Sequence, residues 1–331
     1  MKFIDWFAGV GGFRRGMELA GHECVGFCEF DKYAVMSYTA MHLCTPEQLE
    51  FLSTLPMKER QKEILKDEYR NGEWFANDIR RVYAGDIPDS DCWCFGFPCQ
   101  DISVAGKQLG FTGNRSSLFF RVMYLLGQLE EEKRPSYLFI ENVKNLLSVN
   151  GGWDFARLLT EMDRVGYDAE WQVLNSKYFG VPQNRERCFI IGHLRGRCTA
   201  EVFPVGEGNE KNNKYSMMRT IKGLPDGIYA ADFRHDEGVR IRAQCISPCL
   251  VTKGGRSISG NPLCITVKNG KPKIRFLTPK ERFMLQGWKD EYYRKAELIN
   301  DVQQLYKQAG NGVTVNVIEA IAQKMRGGYE D

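Results

Sequence analysis

The sequence lacks the features that define several protein classes. No apolar run is long enough to cross a bilayer, and Asp5 follows the initial methionine too closely for a signal peptide. Only four histidines occur in 331 residues, and none stands in a ligand-like cluster with any of the eleven cysteines. We therefore expect a cytoplasmic protein with reduced thiols, no membrane contact, no disulfide framework and no metal.

The charge is small overall but unevenly distributed. The chain has a net charge of +3, yet residues 193–275 hold 15 Lys and Arg against 7 Asp and Glu. That segment carries +8, so the remainder carries −5. A basic segment in an otherwise acidic protein suggests a polyanionic partner. A solvated, lysine-rich region would have the same composition, and charge alone does not separate the two.

The first 192 residues alternate between stretches typical of strands and stretches typical of helices. Alternation of this kind predicts an α/β protein with a doubly wound, mainly parallel sheet. Ligands should then gather at the carboxyl ends of the strands. The predicted strands cover 3–7, 24–28, 169–174, 188–191 and the surroundings of Cys92 and Phe139, and the predicted helices cover 13–20, 32–41, 117–132 and 153–165.

Changes in composition divide the chain into three parts. Residues 1–192 form the predicted first domain, which a charged, helical insert of unknown role interrupts at about 46–73. Residues 193–275 contain short strands, many glycines and prolines, and polar loops, which predicts a smaller, mostly β or irregular domain. In residues 276–331, helical periodicity returns at 278–285 and 313–325, and this part could pack back on the first domain.

A glycine-rich turn at residues 5–13 joins the first strand to the first helix. Glycines at this place let the backbone approach a nucleotide-like ligand closely. The dinucleotide-binding fingerprint requires a further glycine where Arg14 stands, which disfavours a nicotinamide cofactor. Glu29 ends the second strand, where an acid commonly binds ribose hydroxyls, and Phe30 could stack on adenine. A tight structural turn is the alternative.

Two apolar runs end just before reactive side chains. Residues 92–95 lead to Cys99, and residues 137–140 lead to Glu141, so a thiol and a carboxyl group should reach one edge of the sheet. Such a pair suits attack on a pyrimidine ring. The thiolate adds to carbon 6, and the acid protonates or hydrogen-bonds N3, so that carbon 5 can accept a methyl group.

Each of these two residues has a simpler interpretation. Most cysteines in such strands are inert and buried, and a carboxylate at a strand end can merely face solvent. Pro98 and the polar residues 100–106 place Cys99 at an exposed loop entrance. The apolar residues before Glu141 would desolvate it and favour its protonated form.

Residues 183–187 contain two arginines that alternate along a predicted strand. One of them could therefore point into the site, hydrogen-bond a carbonyl oxygen of the base and help to hold the thiolate. A surface run of ion pairs is the alternative for this segment alone.

Taken together, the chain closely resembles the cytosine-5 DNA methyltransferases of bacteria and phages, the modification partners in many restriction systems. The resemblance covers nearly the whole chain, and the motifs occur in the family's order. They lie at 7–12, Glu29, 77–79, 98–100, 141–143, 183–187 and 308–313. Ile102 stands where an aromatic residue is common, and Asn77 replaces the usual glycine.

The resemblance implies a role for each matching residue. Cys99 would be the nucleophile, Glu141 would contact N3 and the amino group, and Arg187 would contact O2, with Arg185 nearby. The cofactor would be S-adenosylmethionine, with S-adenosylhomocysteine as product and no metal. Asp78 would bind the adenine amino group and Glu29 the ribose. The implied cofactor pocket consists of Phe7, Gly9, Gly11, Gly12, Glu29, Phe30, Asp78, Ile79, Pro98, Leu118, Asn311 and Val313.

The resemblance also implies a DNA substrate and a role for each part of the chain. Residues 1–192 would be the catalytic and cofactor-binding domain, 193–275 the target-recognition domain, and 276–331 the hinge and the returning helices. The partner would be double-stranded DNA with the target cytosine flipped out. We expect a monomer, with any cognate restriction endonuclease acting separately. The candidate DNA contacts are Gln100, Ser103, Lys107, Arg115, Arg240, Arg242, Lys253 and Arg256.

Three other functions share some of these sequence features with a DNA methyltransferase. An RNA cytosine-5 methyltransferase of the related tRNA-modifying type would share these motifs, although the size and charge of residues 193–275 favour duplex DNA. Cys99, Glu141 and Arg187 are intact, which argues against a non-catalytic DNA-binding repressor. Arg14 argues against a dehydrogenase. The sequence does not show which bases are recognised.

Overall fold

The computed structural model describes residues 1–97, 118–206, 217–218, 221, 223–242, 245–252 and 260–325. Some candidate site residues lie outside the described residues and stay predictions from sequence. They are Pro98, Cys99, Gln100, Ser103, Lys107, Arg115, Lys253 and Arg256.

The larger sheet in the described chain has seven strands. They are β1 (Lys2–Trp6), β2 (Glu23–Cys28), β3 (Trp74–Ala76), β4 (Cys92–Gly96), β5 (Tyr137–Val143), β6 (Tyr167–Asn175) and β7 (Glu186–Leu194). Their order is β3-β2-β1-β4-β5-β7-β6, and β7 alone runs opposite to the other six strands. The predicted doubly wound, mainly parallel sheet is confirmed. The three-residue strand β3 was not predicted, because it is too short to show a period.

Ten α-helices accompany the sheets in the described residues, and no described helix is long and apolar enough to cross a membrane. They are α1 (Gly12–Leu19), α2 (Lys32–Tyr38), α3 (Pro46–Thr54), α4 (Met57–Glu63), α5 (Leu118–Gln128), α6 (Trp153–Arg164), α7 (Pro279–Leu285), α8 (Asp290–Ile299), α9 (Val302–Asn311) and α10 (Val315–Met325).

Alternate residues of β4 face two different helical layers. Trp93 and Phe95 belong to the core under α5 and α6, whereas Cys92 and Cys94 belong to the core under α1 and α10. Because both faces of the strand are covered, its sequence is a continuous apolar run, as is usual in parallel sheets. The carboxyl ends of β1, β4 and β5 are thereby held side by side.

The C-terminal helices pack on the first part of the chain. Helix α10 lies against α1, and α7 and α10 occupy the two stretches whose periodicity predicted helices. Helices α8 and α9 between them were not predicted. Their buried residues, such as Tyr293 and Leu305, form a small apolar cluster with Val10 and Met41. Tertiary packing therefore stabilises these two helices.

The second sheet contains five antiparallel strands among the described residues. They are β8 (Met217–Met218), β9 (Gly227–Arg234), β10 (Gly238–Arg242), β11 (Leu263–Lys268) and β12 (Lys271–Phe276), in the order β12-β11-β9-β10-β8. One face of this sheet forms an apolar core around Ile241, Leu263 and Ile265. The predicted smaller β unit is therefore present.

The predicted insert is helical and docks on the body of the protein. Leu52 of α3 and Ile64, which caps the end of α4, are buried in a cluster that includes Ile299 of α8. The Arg60 guanidinium donates a hydrogen bond of 2.6 Å to the Leu298 carbonyl oxygen. The insert is thus tied to α8 by apolar packing and by hydrogen bonds.

Arg14 connects the glycine-rich turn to the end of that insert. Its guanidinium lies 2.6 Å from Glu73 Oε1 and 2.7 Å from Glu18 Oε1, and it donates to the Tyr38 hydroxyl. The residue that departs from the dinucleotide fingerprint therefore holds a buried ion pair, which a glycine could not form.

We expect Arg14→Leu to lower the free energy of unfolding by about 3–5 kcal/mol, because it leaves the Glu73 carboxylate buried without its partner. Urea denaturation followed by circular dichroism measures the change. The matched control is Arg164→Leu, which removes a largely exposed arginine from its ion pair with Glu161 and should cost no more than about 1 kcal/mol. Equal losses in the two variants would contradict a structural role for the buried pair.

Candidate active site

A cleft of about 510 Å³ opens at the carboxyl ends of β1, β2, β4 and β5. This is the place where a doubly wound sheet binds its ligands. Residues from the glycine turn, the strand ends and the C-terminal helices share its wall. The predicted site residues that line it are Phe7, Gly9, Gly12, Glu29, Phe30, Leu118, Glu141, Arg185, Arg187, Asn311 and Val313.

Glu29 anchors the glycine-rich turn. Its Oε2 accepts from the Gly9 backbone N–H and its Oε1 from the Asp31 backbone N–H, both over 2.7 Å. Burial raises the pKa of Glu29, although these two donors oppose the shift. Gly9 has a φ of 55°, and a Cβ there would meet no atom within 4 Å, so open space lies beside the turn.

Three predicted cofactor residues do not line this cleft. Gly11 adopts a left-handed conformation at the N-cap of α1, and a Cβ there would collide with the His42 imidazole. Asp78 and Ile79 lie in a short turn beyond β3. Arg80 binds the Asp78 carboxylate over 2.7 Å, and this hydrogen bond lowers the pKa of Asp78.

Arg80 joins Asp78 to the rim of the cleft. Its guanidinium carbon lies 5.5 Å from the centre of the Phe30 ring, and that ring is 73% exposed. Arg80 had no predicted role, although Asp78, two residues earlier, was a predicted cofactor residue. A cation–π contact between an arginine and an exposed ring has no signature in the sequence.

Glu141 and Arg187 meet at the base of the cleft. Arg187 Nε lies 2.9 Å from Glu141 Oε1, and both side chains are mostly buried. Gly96 pairs with Glu141 across β4 and β5, and a Cβ at Gly96 would lie only 3.1 Å from Glu141 Oε2. The glycine therefore leaves the second carboxylate oxygen space on the cleft side.

Arg185 and Arg187 share a sulfur contact. Arg185 Nη1 lies 3.4 Å and Arg187 Nη2 3.8 Å from Cys249 Sγ, and Arg185 also donates to the Gly312 carbonyl oxygen over 2.8 Å. Arg185 is 3% exposed, and burial lowers its pKa. Cys249 was not identified as a site residue, because nothing in its local sequence indicates contact with residues 62 and 64 positions earlier.

Asn142 lies within the motif at residues 141–143 but had no predicted role. Its Nδ2 donates to the Phe97 carbonyl oxygen over 2.8 Å, and its Oδ1 accepts from the Val143 N–H. Phe97 lines the cleft and is the last described residue before Cys99. Asn142 thus fixes the end of the segment that leads to Cys99. The sequence signal for this role was an amide side chain shortly after the apolar run at residues 137–140.

Gln183 connects three segments around the site. The side chain is fully buried and donates to the Leu285 carbonyl oxygen over 2.8 Å. It accepts from the Leu250 N–H over 3.1 Å. Residues 245–252, which carry Cys249, are therefore held against the end of α7 and against the segment 183–187 that carries both arginines.

The candidate DNA contacts Arg240 and Arg242 lie on β10. Arg240 forms an ion pair with Asp232, and Arg242 Nη2 lies 3.9 Å from the same carboxylate. Both arginine side chains are largely buried. Their role in binding DNA stays a prediction, and their charges already have a partner.

The fold corresponds to that of α/β methyltransferases. The solved structure of the S. pombe Dnmt2 methyltransferase matches with a TM-score of 0.65 and 16% identity, over 99% of both chains. This likeness concerns the fold alone.

The sequence comparisons identify the family. The chain matches the family described as C-5 cytosine-specific DNA methylase at residues 1–51, 57–245 and 218–327. It is 33% identical to the type II methyltransferase M.HaeII of Haemophilus aegyptius over 340 residues, 98% of this chain and 92% of that protein. It is 30% identical to M2.ScrFI of Lactococcus lactis subsp. cremoris over 98% of this chain and 99% of the relative. The chain belongs to the C-5 cytosine-specific DNA methylases, enzymes that methylate carbon 5 of cytosine in DNA.

Proposed function

We propose that this chain methylates a cytosine flipped out of a specific duplex DNA sequence, with Cys99 as the attacking nucleophile. The ion pair between Glu141 and Arg187, in the same cleft as the glycine turn, is the observation that carries this proposal. It puts an acid and a hydrogen-bond donor where a pyrimidine ring would need both. A cytosine inside a duplex cannot reach such a cleft, so it must leave the stack at a cost of a few kcal/mol.

The residues have separate tasks in the first step. The Cys99 thiolate forms a bond to carbon 6, and the electron pair of the carbon 5–carbon 6 double bond moves to carbon 5. Because Arg187 forms its ion pair with Glu141 Oε1, the other oxygen, Oε2, can contact N3 and the amino group of the ring. Arg187, with Arg185 behind it, donates to O2. These contacts stabilise the charge that spreads over the ring.

The last step restores the aromatic ring. S-adenosylmethionine, when bound, supplies the methyl group that carbon 5 takes. A base, which can be a water molecule, then removes the carbon 5 proton. The released electron pair re-forms the double bond and expels the Cys99 thiolate.

The cleft suits S-adenosylmethionine. Glu29 offers a carboxylate at the end of β2, Phe30 presents an exposed ring beside it, and the space at Gly9 lets a ligand approach the backbone. We propose that Glu29 binds the ribose hydroxyls, that Phe30 stacks on adenine and that Asp78 binds the adenine amino group. Leu118, Asn311 and Val313 would complete the wall, with Phe7, Gly11, Gly12, Ile79 and Pro98 around it.

Cofactor affinity should depend on the ionisation of Glu29. Burial stabilises the protonated acid in the free protein, whereas ribose hydroxyls donate to the carboxylate. We therefore expect affinity for S-adenosylhomocysteine to fall on acidification, with a midpoint above the ordinary glutamate value of 4.5. Calorimetric titrations between about pH 4.5 and 8 measure it. Glu29→Gln should bind more weakly and lose this pH dependence; an unchanged pH profile in the variant would remove Glu29 from this role.

We also propose that the protein acts in the cytoplasm as a monomer. A cognate restriction endonuclease, if one accompanies it, would bind the DNA independently. The names of the type II relatives support the comparison with restriction systems.

Transfer of a labelled methyl group to duplex DNA and to tRNA tests the proposed substrate. We expect label in the duplex only. Bisulfite sequencing of a plasmid from expressing cells should then show one methylated sequence. Label in tRNA but not in DNA would favour the RNA-modifying alternative, and methylation without sequence preference would contradict a specific target.

A further inference from the structure

One face of the second sheet carries a row of lysines. Lys271 and Lys273 alternate along β12 and therefore point to the same face. Across the ladder, Lys268 of β11 pairs with Lys271, and Thr266 pairs with Lys273. Directly opposed residues share a face, so Lys268, Lys271 and Lys273 form one group, here called the lysine face.

The lysine face is open to solvent. The opposite face of the sheet holds the apolar core with Ile241, Ile265 and Val267. On the lysine side, all three lysines are exposed, and Ile228, which pairs with Thr266, is 64% exposed. This end of the sheet is therefore not covered by any described part of the chain.

The charges of the lysine face are unpaired within the described residues. The neighbouring carboxylate of Asp226 accepts from the backbone N–H groups of Asn269 and Gly270, over 2.8 and 3.0 Å. Arg275, the next cation along β12, is bound to Glu281. None of the described acids forms an ion pair with a lysine of the face, in contrast to Arg240 and Arg242 on the same sheet.

The chain connects the lysine face closely to the active site. Cys249 contacts both site arginines, and Cys245, four residues earlier, donates to the Ile228 carbonyl oxygen. Four residues span at most about 14 Å, and the two strand steps from Ile228 to Lys273 add about 10 Å. The hydrogen-bonded link from the Cys245 Cα to the Ile228 Cα adds about 8 Å, so the Cα atoms of Lys273 and Cys249 lie at most about 32 Å apart. One turn of duplex DNA measures about 34–36 Å.

We propose that the lysine face binds phosphates of the duplex within about one helical turn of the flipped cytosine. This inference rests on the proposed function, in which duplex DNA is the substrate. Three exposed ammonium groups in one row release counterions when they bind a phosphate backbone. Such contacts set the position of the protein on the duplex and read no sequence.

The test replaces the three lysines together. Lys268→Gln, Lys271→Gln and Lys273→Gln, combined in one variant, should weaken duplex binding roughly tenfold or more at 0.1 M salt. The slope of log affinity against log salt should decrease by about 2.7, since each phosphate contact contributes about 0.9. Fluorescence anisotropy with a labelled duplex measures both quantities. The turnover number at saturating DNA and the affinity for S-adenosylhomocysteine should stay unchanged.

Two matched variants make the result specific. The same positions changed to arginine should keep the wild-type salt slope. Lys58, Lys62 and Lys133 are exposed lysines elsewhere, and changing them to glutamine should alter the slope by less than about one contact. A wild-type salt slope in the lysine-face variant, or an equal decrease of the slope in the control, overturns this inference but leaves the proposed function standing. A wild-type protein that binds no duplex DNA overturns the inference and the proposed function together.

Discussion

Cys99→Ser is expected to lower the rate of methyl transfer by more than roughly 10³-fold, while the protein still binds duplex DNA and S-adenosylhomocysteine. A cysteine is partly ionised at neutral pH and is an intrinsically strong nucleophile, whereas a serine hydroxyl without an adjacent base is not. Since the change replaces one sulfur by oxygen, binding should survive. Transfer of a labelled methyl group, with DNA affinity measured in parallel, separates the two effects.

A mechanism-based trap tests the covalent bond directly. In a duplex with 5-fluorocytosine at the target and with S-adenosylmethionine present, carbon 5 takes the methyl group but then has no proton to lose, so the bond between Cys99 and carbon 6 persists. We expect a denaturation-resistant adduct with wild-type protein and none with Cys99→Ser. Cys198 is exposed and lies outside the cleft, so Cys198→Ser should still form the adduct. Normal turnover by the Cys99 variant would refute the covalent mechanism.

Glu141→Gln is expected to reduce the turnover number by about 10²–10⁴-fold at neutral pH. The amide keeps the shape of the side chain and can still accept from Arg187. It cannot protonate N3, and it cannot balance the arginine charge. Because the loss concerns the reacting ring, the turnover number should fall far more than DNA affinity.

A neighbouring glutamate provides the control for this change. Glu186 stands next to Arg187 in sequence, but its carboxylate is half-exposed and lies 3.2 Å from Lys144. Glu186→Gln should therefore keep a rate close to that of the wild type. An unaltered rate in Glu141→Gln would remove Glu141 from the proposed chemistry, whatever the control shows.

The central strands could be predicted because they are buried on both faces. Strands β4 and β5 read as unbroken apolar runs at residues 92–95 and 137–140, which end at Gly96 and Glu141. A strand that is covered by helices on both faces needs no polar side. Its length and its end can therefore be predicted from the extent of the apolar run. The cleft at the strand ends follows from that pattern.

The contacts within the site depended on register. Strand β7 runs antiparallel to β5 and pairs Val143 with Arg187, which places Arg187 diagonally opposite Glu141. The sequence indicated that one of two arginines would enter the site, but not that both contact Cys249. A shift of one residue in that ladder would turn Arg187 to the other face.

The sequence by itself determined the α/β architecture and the glycine turn, because each is encoded in consecutive residues, and it predicted the two reactive positions Cys99 and Glu141. Only the tertiary structure decided that Arg187 pairs with Glu141, that Asn142 holds the Phe97 carbonyl and that Asp232 takes the charge of Arg240. The reason is distance along the chain. Local periodicity depends on residues a few positions apart, whereas these bonds join segments that only sheet pairing and core packing bring within about 3 Å.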